Sequence, residues 1–149
     1  VERLDGLSDV VAGLLTPAQA IRPQVLPNLD LLTTGKLPSN PADMMMSDSM
    51  ARVLETLAAQ YDYVIIDTPP VLVAADAAAV APLVGAVLLV ARSAVTQLGE
   101  LNESAKRLTR AGTQVSGVLF NAMDMTQRHY GAGGYKYGGY RYKQYRYNT

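Results

Sequence analysis

One carboxylate stands where a parallel sheet would present it to a ligand. Asp67 follows the apolar run 63–66, and Pro69 and Pro70 prevent a helix from starting immediately after it. A carboxylate at the carboxyl end of a buried strand is typical of the Walker B motif, in which the Asp holds the Mg²⁺ of a nucleotide, usually through water. The same residues also fit a turn in which Asp67 accepts hydrogen bonds from the next backbone amides. The pattern alone leaves both interpretations open.

A nucleotide site also needs a loop that binds phosphate, and this sequence does not contain its usual form. The pattern G-x-x-x-x-G-K-[ST], in which backbone amides and a lysine hold the phosphates, occurs nowhere in the 149 residues. Lys36 follows Gly35, but the next residue is Leu37, and no glycine stands five positions before Gly35. We therefore interpret residues 34–37 as a turn.

Two further polar residues end apolar runs and are candidates for binding a nucleotide. Asn121 carries an amide that can both donate to and accept from a base edge, as discrimination of adenine requires. Arg92 ends the preceding run and could face phosphate. The alternatives are an Asx turn at Asn121 and a surface ion pair at Arg92.

The C-terminal segment 130–149 offers a different chemistry. It holds seven of the nine tyrosines among Gly, Lys and Arg, with no acidic residue and no Val, Leu, Ile, Met or Phe. Ordering its backbone would cost about 1 to 2 kcal/mol per residue with little aliphatic surface to bury, so we expect a disordered tail that presents its tyrosines to something else. The tyrosines are Tyr130, Tyr135, Tyr137, Tyr140, Tyr142, Tyr145 and Tyr147.

The elements that would position Asp67, Arg92 and Asn121 alternate in type. The apolar runs 63–66, 86–91 and 115–120 lack in-out alternation and are predicted as parallel strands buried on both faces. Helices are predicted over 75–83 and 96–111 between them, with Asp76 and Thr96 as helix caps. This order predicts a three-layer α/β domain with its ligand site at the carboxyl ends of the strands.

The first third of the chain is less regular. A short helix is predicted within 7–15 and one strand over 25–32, closed by a turn at 33–35. A long helix should begin at Asn40 and Pro41, an N-cap and first-turn pair, and run through the apolar spacing of 46–57. The methionines at 44–46 are predicted as core contacts of that helix.

Composition excludes several other functions. There is no cysteine, and His129 is the one histidine, so a thiolate or His-ligated zinc centre and a Ser-His-Asp triad in the body are excluded. The longest apolar stretch, 77–91, has 15 residues and contains a proline, which is too short for a membrane span. The zero net charge hides an asymmetry, because the residues after Asp124 carry +5 and the rest −5.

Several segments, in order along essentially the whole chain, resemble the cytoplasmic kinase domain of bacterial tyrosine kinases, the polysaccharide co-polymerases of capsule and exopolysaccharide export. The most specific is the Gly-x-x-Pro-x-Asn-Pro run at 35–41, together with the C-terminal tyrosines. The other segments are Gly6-Leu7-Ser8, Tyr61-Asp62-Tyr63-Val64-Ile65-Ile66-Asp67-Thr68-Pro69-Pro70, Asp76-Ala77, Val90-Ala91-Arg92 and Gly117-Val118-Leu119-Phe120-Asn121.

The resemblance implies a P-loop-NTPase-like fold of the partition-ATPase type, with residues 1–124 as the C-terminal portion of the catalytic domain and 125–149 as a phosphoacceptor tail. Asp67 would position Mg²⁺ and ATP, Asn121 would contact the adenine, and the seven tail tyrosines would accept phosphate. The protein would be an ATP-dependent, autophosphorylating tyrosine kinase that regulates polysaccharide polymerisation and export.

The resemblance also implies partners. Each subunit of a ring-like homo-oligomer would insert its tail into the next active site, and a low-molecular-weight tyrosine phosphatase would reverse the modification. The Walker A loop, the membrane anchors and the link to the polymerisation and export machinery would lie upstream of this chain, at the cytoplasmic face of the inner membrane. The chain alone is therefore expected to have an exposed sheet edge, incomplete packing and no kinase activity.

Two other readings remain. A partition-like body could use its basic, tyrosine-rich tail to stack on single-stranded nucleic acid or to bind another anionic surface, although the kinase interpretation does not expect nucleic acid as a partner. Alternatively, the chain could serve only as phosphoacceptor and docking partner of a separate ATP-binding chain.

Overall fold

The computed structural model describes residues 5–123, which form six α-helices, one 3₁₀ turn and four strands. Asp124 and the tail with its seven tyrosines lie outside the described residues, so the predicted disorder of the tail stays a prediction. In chain order the elements are α1 (Leu7–Val11), α2 (Pro17–Ala20), β1 (Arg22–Leu26), β2 (Leu29–Leu31), α3 (Pro41–Met45), α4 (Asp48–Ala58), α5 (Asp76–Val80), a 3₁₀ turn (Ala81–Leu83), β3 (Leu88–Arg92), α6 (Leu98–Arg110) and β4 (Gly117–Asn121).

β3 and β4 pair in parallel, with α6 as the crossover between them. Two of the three predicted parallel strands and the helix that links them are therefore confirmed. The predicted burial on both faces is wrong for both strands. In β3, Leu89 and Ala91 are buried, whereas Leu88 and Val90 are 53% and 65% exposed. A strand of alternating burial has one covered face, and here that face packs against α6 through Leu89 and Leu108. In β4 no residue is buried, and Leu119 and Phe120 are exposed.

The predicted strand at 63–66 is not formed. The stretch 62–69 makes no backbone hydrogen bond to any other residue within 5–123, and Tyr63 and Ile65 are 88% and 90% exposed. A strand exists only through hydrogen bonds to a neighbouring strand, so apolar character and extended backbone are insufficient by themselves. These exposed apolar side chains confirm the expected incomplete packing of the described residues, but not an exposed sheet edge, because this stretch is not a strand.

The predicted single strand at 25–32 is a two-stranded antiparallel hairpin instead. The chain turns between β1 and β2 at Pro27 and Asn28, and Asn28 adopts a positive φ of 61°. Asn is one of the few residues that tolerate this conformation, which allows the chain to reverse there.

The predicted long helix after Asn40 is interrupted. Asn40 does cap α3, since its Oδ1 accepts from the Asp43 amide at 3.5 Å. Ser47 then starts a new helix, because its hydroxyl accepts from the Met50 amide at 3.1 Å and donates to the Met44 carbonyl at 2.8 Å. A hydroxyl that satisfies both a last carbonyl and a first amide separates two helices where apolar spacing alone predicts one.

The break also changes the environment of the methionines. Met46 is 64% exposed, so the prediction that all three residues of 44–46 are core contacts is wrong there. Met50, one turn further into α4, is buried.

Two hydrophobic clusters hold the described residues together. Val10, Ala20, Val53 and Leu57 join α1 and α2 to α4. Ala81, Leu89 and Leu108 join the 3₁₀ turn and β3 to α6. Within residues 5–123, no helix has both the length and the apolar character to span a membrane.

Candidate functional site

The carboxyl ends of β3 and β4 bring Arg92 and Asn121 together. These two residues are register partners, and the amide of Ser93 donates to the Asn121 carbonyl at 2.9 Å, which extends the pairing by one residue. The structure therefore places two of the predicted site residues side by side at the carboxyl ends of the strands, as the parallel arrangement requires.

The amide group of Asn121 is partly engaged. Its Oδ1 accepts a 2.8 Å hydrogen bond from the amide of Ala122, a residue with a positive φ of 54°. This contact supports the turn interpretation for the carbonyl oxygen. The NH₂ group has no hydrogen-bond partner within residues 5–123, so it can donate to an acceptor on a ligand.

The loop after Arg92 is closed by Thr96. The Thr96 hydroxyl accepts from the Arg92 amide at 2.9 Å, and the Thr96 amide donates to the Arg92 carbonyl at 2.9 Å. Thr96 is therefore not the cap of the following helix, which begins at Leu98, with Glu100 accepting from the Gln97 amide. Its side chain instead fixes the backbone of the residue that ends β3.

The predicted cap at Asp76 is also wrong. Asp76 is the first residue of α5, and the N-cap position is Ala75, which has no capping side chain. The Asp76 carboxylate favours the positive end of the helix dipole from inside the first turn.

Asp67 lies in the unpaired stretch before the 70–74 turn and is exposed. Its carboxylate makes no hydrogen bond or ion pair within residues 5–123, and no hydrogen bond or ion pair there links it to Arg92 or Asn121. An unengaged carboxylate suits Mg²⁺, which prefers hard oxygen ligands, keeps several waters and needs only one or two protein carboxylates. The described residues contain no cluster of three or more His, Cys, Asp or Glu that could hold a metal by themselves. Asp67 could therefore hold a hydrated Mg²⁺ only together with ligands from outside the described residues.

Sequence reasoning missed a residue that contacts this region. Nη1 of Arg107 donates to the carbonyl oxygens of Val71 and Leu72 at 3.3 and 3.2 Å. Glu103 lies one turn earlier on α6, with its Oε1 at 3.7 Å from Arg107 Nε. The Glu103–Arg107 spacing of four was visible in the sequence, but the contact with the turn was not, because it joins residues more than 30 positions apart.

Two sets of contacts hold segments of the first third of the chain in place. The Tyr61 hydroxyl donates to the Asp30 carboxylate at 2.7 Å, and the Gln24 amide donates to the same carboxylate at 2.7 Å. These hydrogen bonds, first from Gln24 and then from Tyr61, lower the pKa of Asp30, and the bond to Asp30 raises the pKa of Tyr61.

The other set of contacts lies at a close backbone crossing of Gly6 and Gly35. A Cβ on Gly35 would lie 2.8 Å from the Gly6 amide nitrogen and 2.7 Å from the Ser8 hydroxyl. The Leu7 and Ser8 amides donate to the Thr33 and Thr34 carbonyls at 2.8 and 3.0 Å. Two segments that carried the resemblance, Gly6-Leu7-Ser8 and the run from Gly35, thus touch each other. The predicted turn at 34–37 agrees with the positive φ of Gly35, 79°.

Comparisons with known proteins give consistent results. No protein-family model matches the chain. Over 132 residues it is 43% identical to a putative tyrosine-protein kinase EpsB of Ralstonia solanacearum and 39% identical to the tyrosine-protein kinase Wzc of Salmonella typhi. Each match covers 89% of this chain and 18% of the relative.

Solved structures agree with these relatives. The kinase domain of the Escherichia coli tyrosine kinase ETK is 36% identical, with a TM-score of 0.78, over 93% of this chain and 52% of that one. The kinase domain of VpsO is 28% identical, with a TM-score of 0.75, over 82% of this chain and 60% of that one. These matches confirm the predicted α/β fold class and favour the kinase interpretation over a nucleic-acid-binding module.

The chain spans about a fifth of the length of these curated relatives and about half of a solved kinase domain. Identity and fold are shared along nearly all of this chain, so the match is not confined to one common motif. The chain belongs to the family of bacterial tyrosine-protein kinases, of which it spans part of the kinase domain.

Proposed function

We propose that this chain is part of an ATP-dependent, autophosphorylating protein tyrosine kinase that regulates the polymerisation and export of exopolysaccharide or capsule polysaccharide. The observation that carries the proposal is the match of 93% of the chain to the ETK kinase domain. The pairing of Arg92 with Asn121 at the carboxyl ends of β3 and β4 supports it, because parallel α/β domains bind ligands at the carboxyl ends of their strands.

Each site residue has a role in this proposal. Bound MgATP supplies the phosphoryl group that is transferred to a tyrosine. Asp67 would hold the waters of Mg²⁺ with its free carboxylate, the NH₂ of Asn121 would donate to the adenine, and Arg92 would face phosphate. The proton of the tyrosine hydroxyl must pass to a base when the O–P bond forms, and none of these three residues is assigned to that role. Their contribution would be positioning and charge stabilisation.

The exposed apolar surface supports the view that other parts of the kinase domain complete the site. Tyr63, Ile65 and Val90 are all at least 65% exposed within the described residues, and the 62–69 backbone is unpaired there. Pairing by another strand would bury these side chains and fix Asp67 at the end of a sheet strand. We therefore expect residues 1–149 alone to show no ATP hydrolysis, and measurable turnover by this piece would contradict the proposal.

The tail tyrosines are the proposed phosphoacceptors. A tail of 20 residues reaches at most about 65 to 70 Å when extended, enough to cross into a neighbouring subunit of a ring-like homo-oligomer. Each phosphate adds about −1.5 to −2 charges, so a few modifications reverse the sign of this basic segment. We propose that the change loosens the ring, that a low-molecular-weight tyrosine phosphatase resets it, and that the whole protein acts at the cytoplasmic face of the inner membrane.

The decisive experiment uses the full-length protein with its upstream segments. Phosphotyrosine is measured after incubation with MgATP in the wild type, in Asp67→Asn and in a variant with all seven tail tyrosines changed to Phe. Both variants should lose the signal. Asn102→Ala is the control, because Asn102 is an exposed residue of α6 outside the tail. An unchanged signal in Asp67→Asn or in the seven-Phe variant would refute the assignment of that part.

A further inference from the structure

The turn that follows Asp67 is attached to the rest of the chain at two points. The side chain of Val71 packs against the cluster formed by Ala81, Leu89 and Leu108. The carbonyl oxygens of Val71 and Leu72 accept from Arg107. The first contact is apolar and the second is polar, and both involve residues of α6, Leu108 and Arg107.

The turn is short and internally closed. The amides of Val73 and Ala74 both donate to the Pro70 carbonyl, at 2.8 and 3.1 Å. Pro69 and Pro70 restrict φ in the three-residue span between Asp67 and Val71. A displacement of the turn is therefore transmitted to Asp67 with little backbone freedom to absorb it.

Arginine at position 107 can hold the two turn carbonyls better than a lysine could. The guanidinium is planar and presents several donors, so Nη1 can serve two carbonyls while Nε faces Glu103. Glu103 holds the guanidinium from the other side, and Arg110 approaches the same Glu103 oxygen at 3.6 Å. Arg110 makes no hydrogen bond to the turn within the described residues. The two arginines thus share a helix and an acidic partner but differ in the contact with the turn.

We propose that Arg107 is a positioning residue for Asp67: by holding the Val71 and Leu72 carbonyls it fixes the place from which the Asp67 carboxylate meets hydrated Mg²⁺. The inference rests on the proposed function, because it assumes that Asp67 serves Mg²⁺. Arg107 touches neither nucleotide nor metal in this role. It acts only through the 70–74 turn.

The test compares Arg107→Ala, Arg107→Lys and the matched control Arg110→Ala in the full-length protein. The first readout is amide hydrogen exchange at Val73 and Ala74 without nucleotide. Loss of a hydrogen bond at an exposed position should accelerate exchange about two- to tenfold in Arg107→Ala, with a smaller effect in Arg107→Lys and none in Arg110→Ala. Equal exchange in Arg107→Ala and Arg110→Ala would overturn the inference.

The second readout is the Mg²⁺ concentration that gives half-maximal autophosphorylation at saturating ATP. It should rise about two- to tenfold in Arg107→Ala and less in Arg107→Lys, because a misplaced carboxylate binds the hydrated ion less well. A merely structural role would lower the amount of active protein without changing this concentration. Faster exchange with an unchanged Mg²⁺ requirement would therefore also overturn the inference.

Failure of the proposed function looks different. If wild-type activity is absent or is unaffected by Asp67→Asn, the kinase assignment of Asp67 fails, and this inference fails with it. If the wild type is active and depends on Asp67, but Arg107→Ala needs the same Mg²⁺ concentration as the control Arg110→Ala, only the role of Arg107 is refuted. Should Arg107→Ala not fold, Arg107→Lys keeps the charge beside Glu103 and still tests the two-carbonyl contact.

Discussion

Arg92 and Asn121 occupy the same register position of the parallel pair, as the last residues of β3 and β4. Each is followed closely by a residue with positive φ, Ala94 at 59° and Ala122 at 54°, so the chain changes direction just after each strand. After β3 it folds back on the strand end, because the Thr96 amide and hydroxyl both bond the backbone of Arg92.

Replacement of Asn121 by Ala in the full-length kinase should raise the KM for ATP about tenfold and leave kcat nearly unchanged. The physical reason is that a contact with adenine is made equally in the ground state and in the transition state. Steady-state autophosphorylation rates over a range of ATP concentrations check this, with the exposed Asn102→Ala on α6 as control. A fall in kcat at constant KM would contradict a role of Asn121 in binding ATP.

The Tyr61 hydroxyl should stabilise the β1–β2 hairpin against local opening. In Tyr61→Phe the Asp30 carboxylate loses one of its two hydrogen bonds, so limited proteolysis within 22–31 should become faster. Tyr63→Phe is the matched control, since the Tyr63 side chain is 88% exposed and the hydroxyl has no described partner. Equal cleavage rates in the two variants would show that the hydrogen bond contributes nothing measurable.

The same pair predicts how stability depends on pH. The Asp30 pKa is lowered in the folded state, so this contribution is present above the usual Asp pKa of about 4 and is lost as pH falls through the lower folded value. The Tyr61 pKa is raised, so its contribution is present below about pH 10 and is lost as pH rises through the higher folded value. Unfolding midpoints of the intact kinase domain at acid and neutral pH should therefore differ less in Asp30→Asn than in the wild type. An unchanged difference would contradict the assignment.

Gly35→Ala should destabilise the intact kinase domain by about 1 to 3 kcal/mol more than Gly13→Ala. Both glycines have positive φ, 79° and 73°, so both variants carry the conformational cost of a Cβ. Only at Gly35 would the new methyl group meet backbone, 2.8 Å from the Gly6 nitrogen, whereas nothing lies within 4 Å at Gly13. Urea unfolding of the two variants measures the difference, and equal losses would mean that the Gly6–Gly35 crossing relaxes freely.

Truncation of Leu108 should be costly because this side chain is 1% exposed and links α6 to β3. Leu108→Ala is expected to lower the free energy of unfolding by about 2 to 5 kcal/mol. Leu98→Ala on the same helix is the control, since Leu98 is 74% exposed and its loss should cost little. Chemical denaturation of both variants provides the comparison, and a cost below that of Leu98→Ala would be inconsistent with the packing.

Local patterns were sufficient for several elements. The runs before Arg92 and Asn121 were predicted correctly as parallel strands, although not their burial on both faces, and the helix between them was predicted correctly too. Continuous apolar runs, helical spacing and the terminal Gly112 are signals carried within a few residues. The cap at Asn40 was predicted for the same reason. The helix break at Ser47 and the chain reversal at Asn28 were missed, since in both cases one polar residue redirected a longer apolar pattern.

Residue types at fixed spacing were enough to predict the family, the order of most elements and the candidate residues Asp67, Arg92 and Asn121. Three features became visible only in the folded chain: 63–66 is unpaired within the described residues, Arg92 and Asn121 share one register position, and Arg107 contacts the turn after Asp67. Strand pairing and side-chain contacts of this kind join residues that are distant in sequence. Their hydrogen bonds depend on which backbone groups the fold brings within about 3 Å, and no local pattern encodes that.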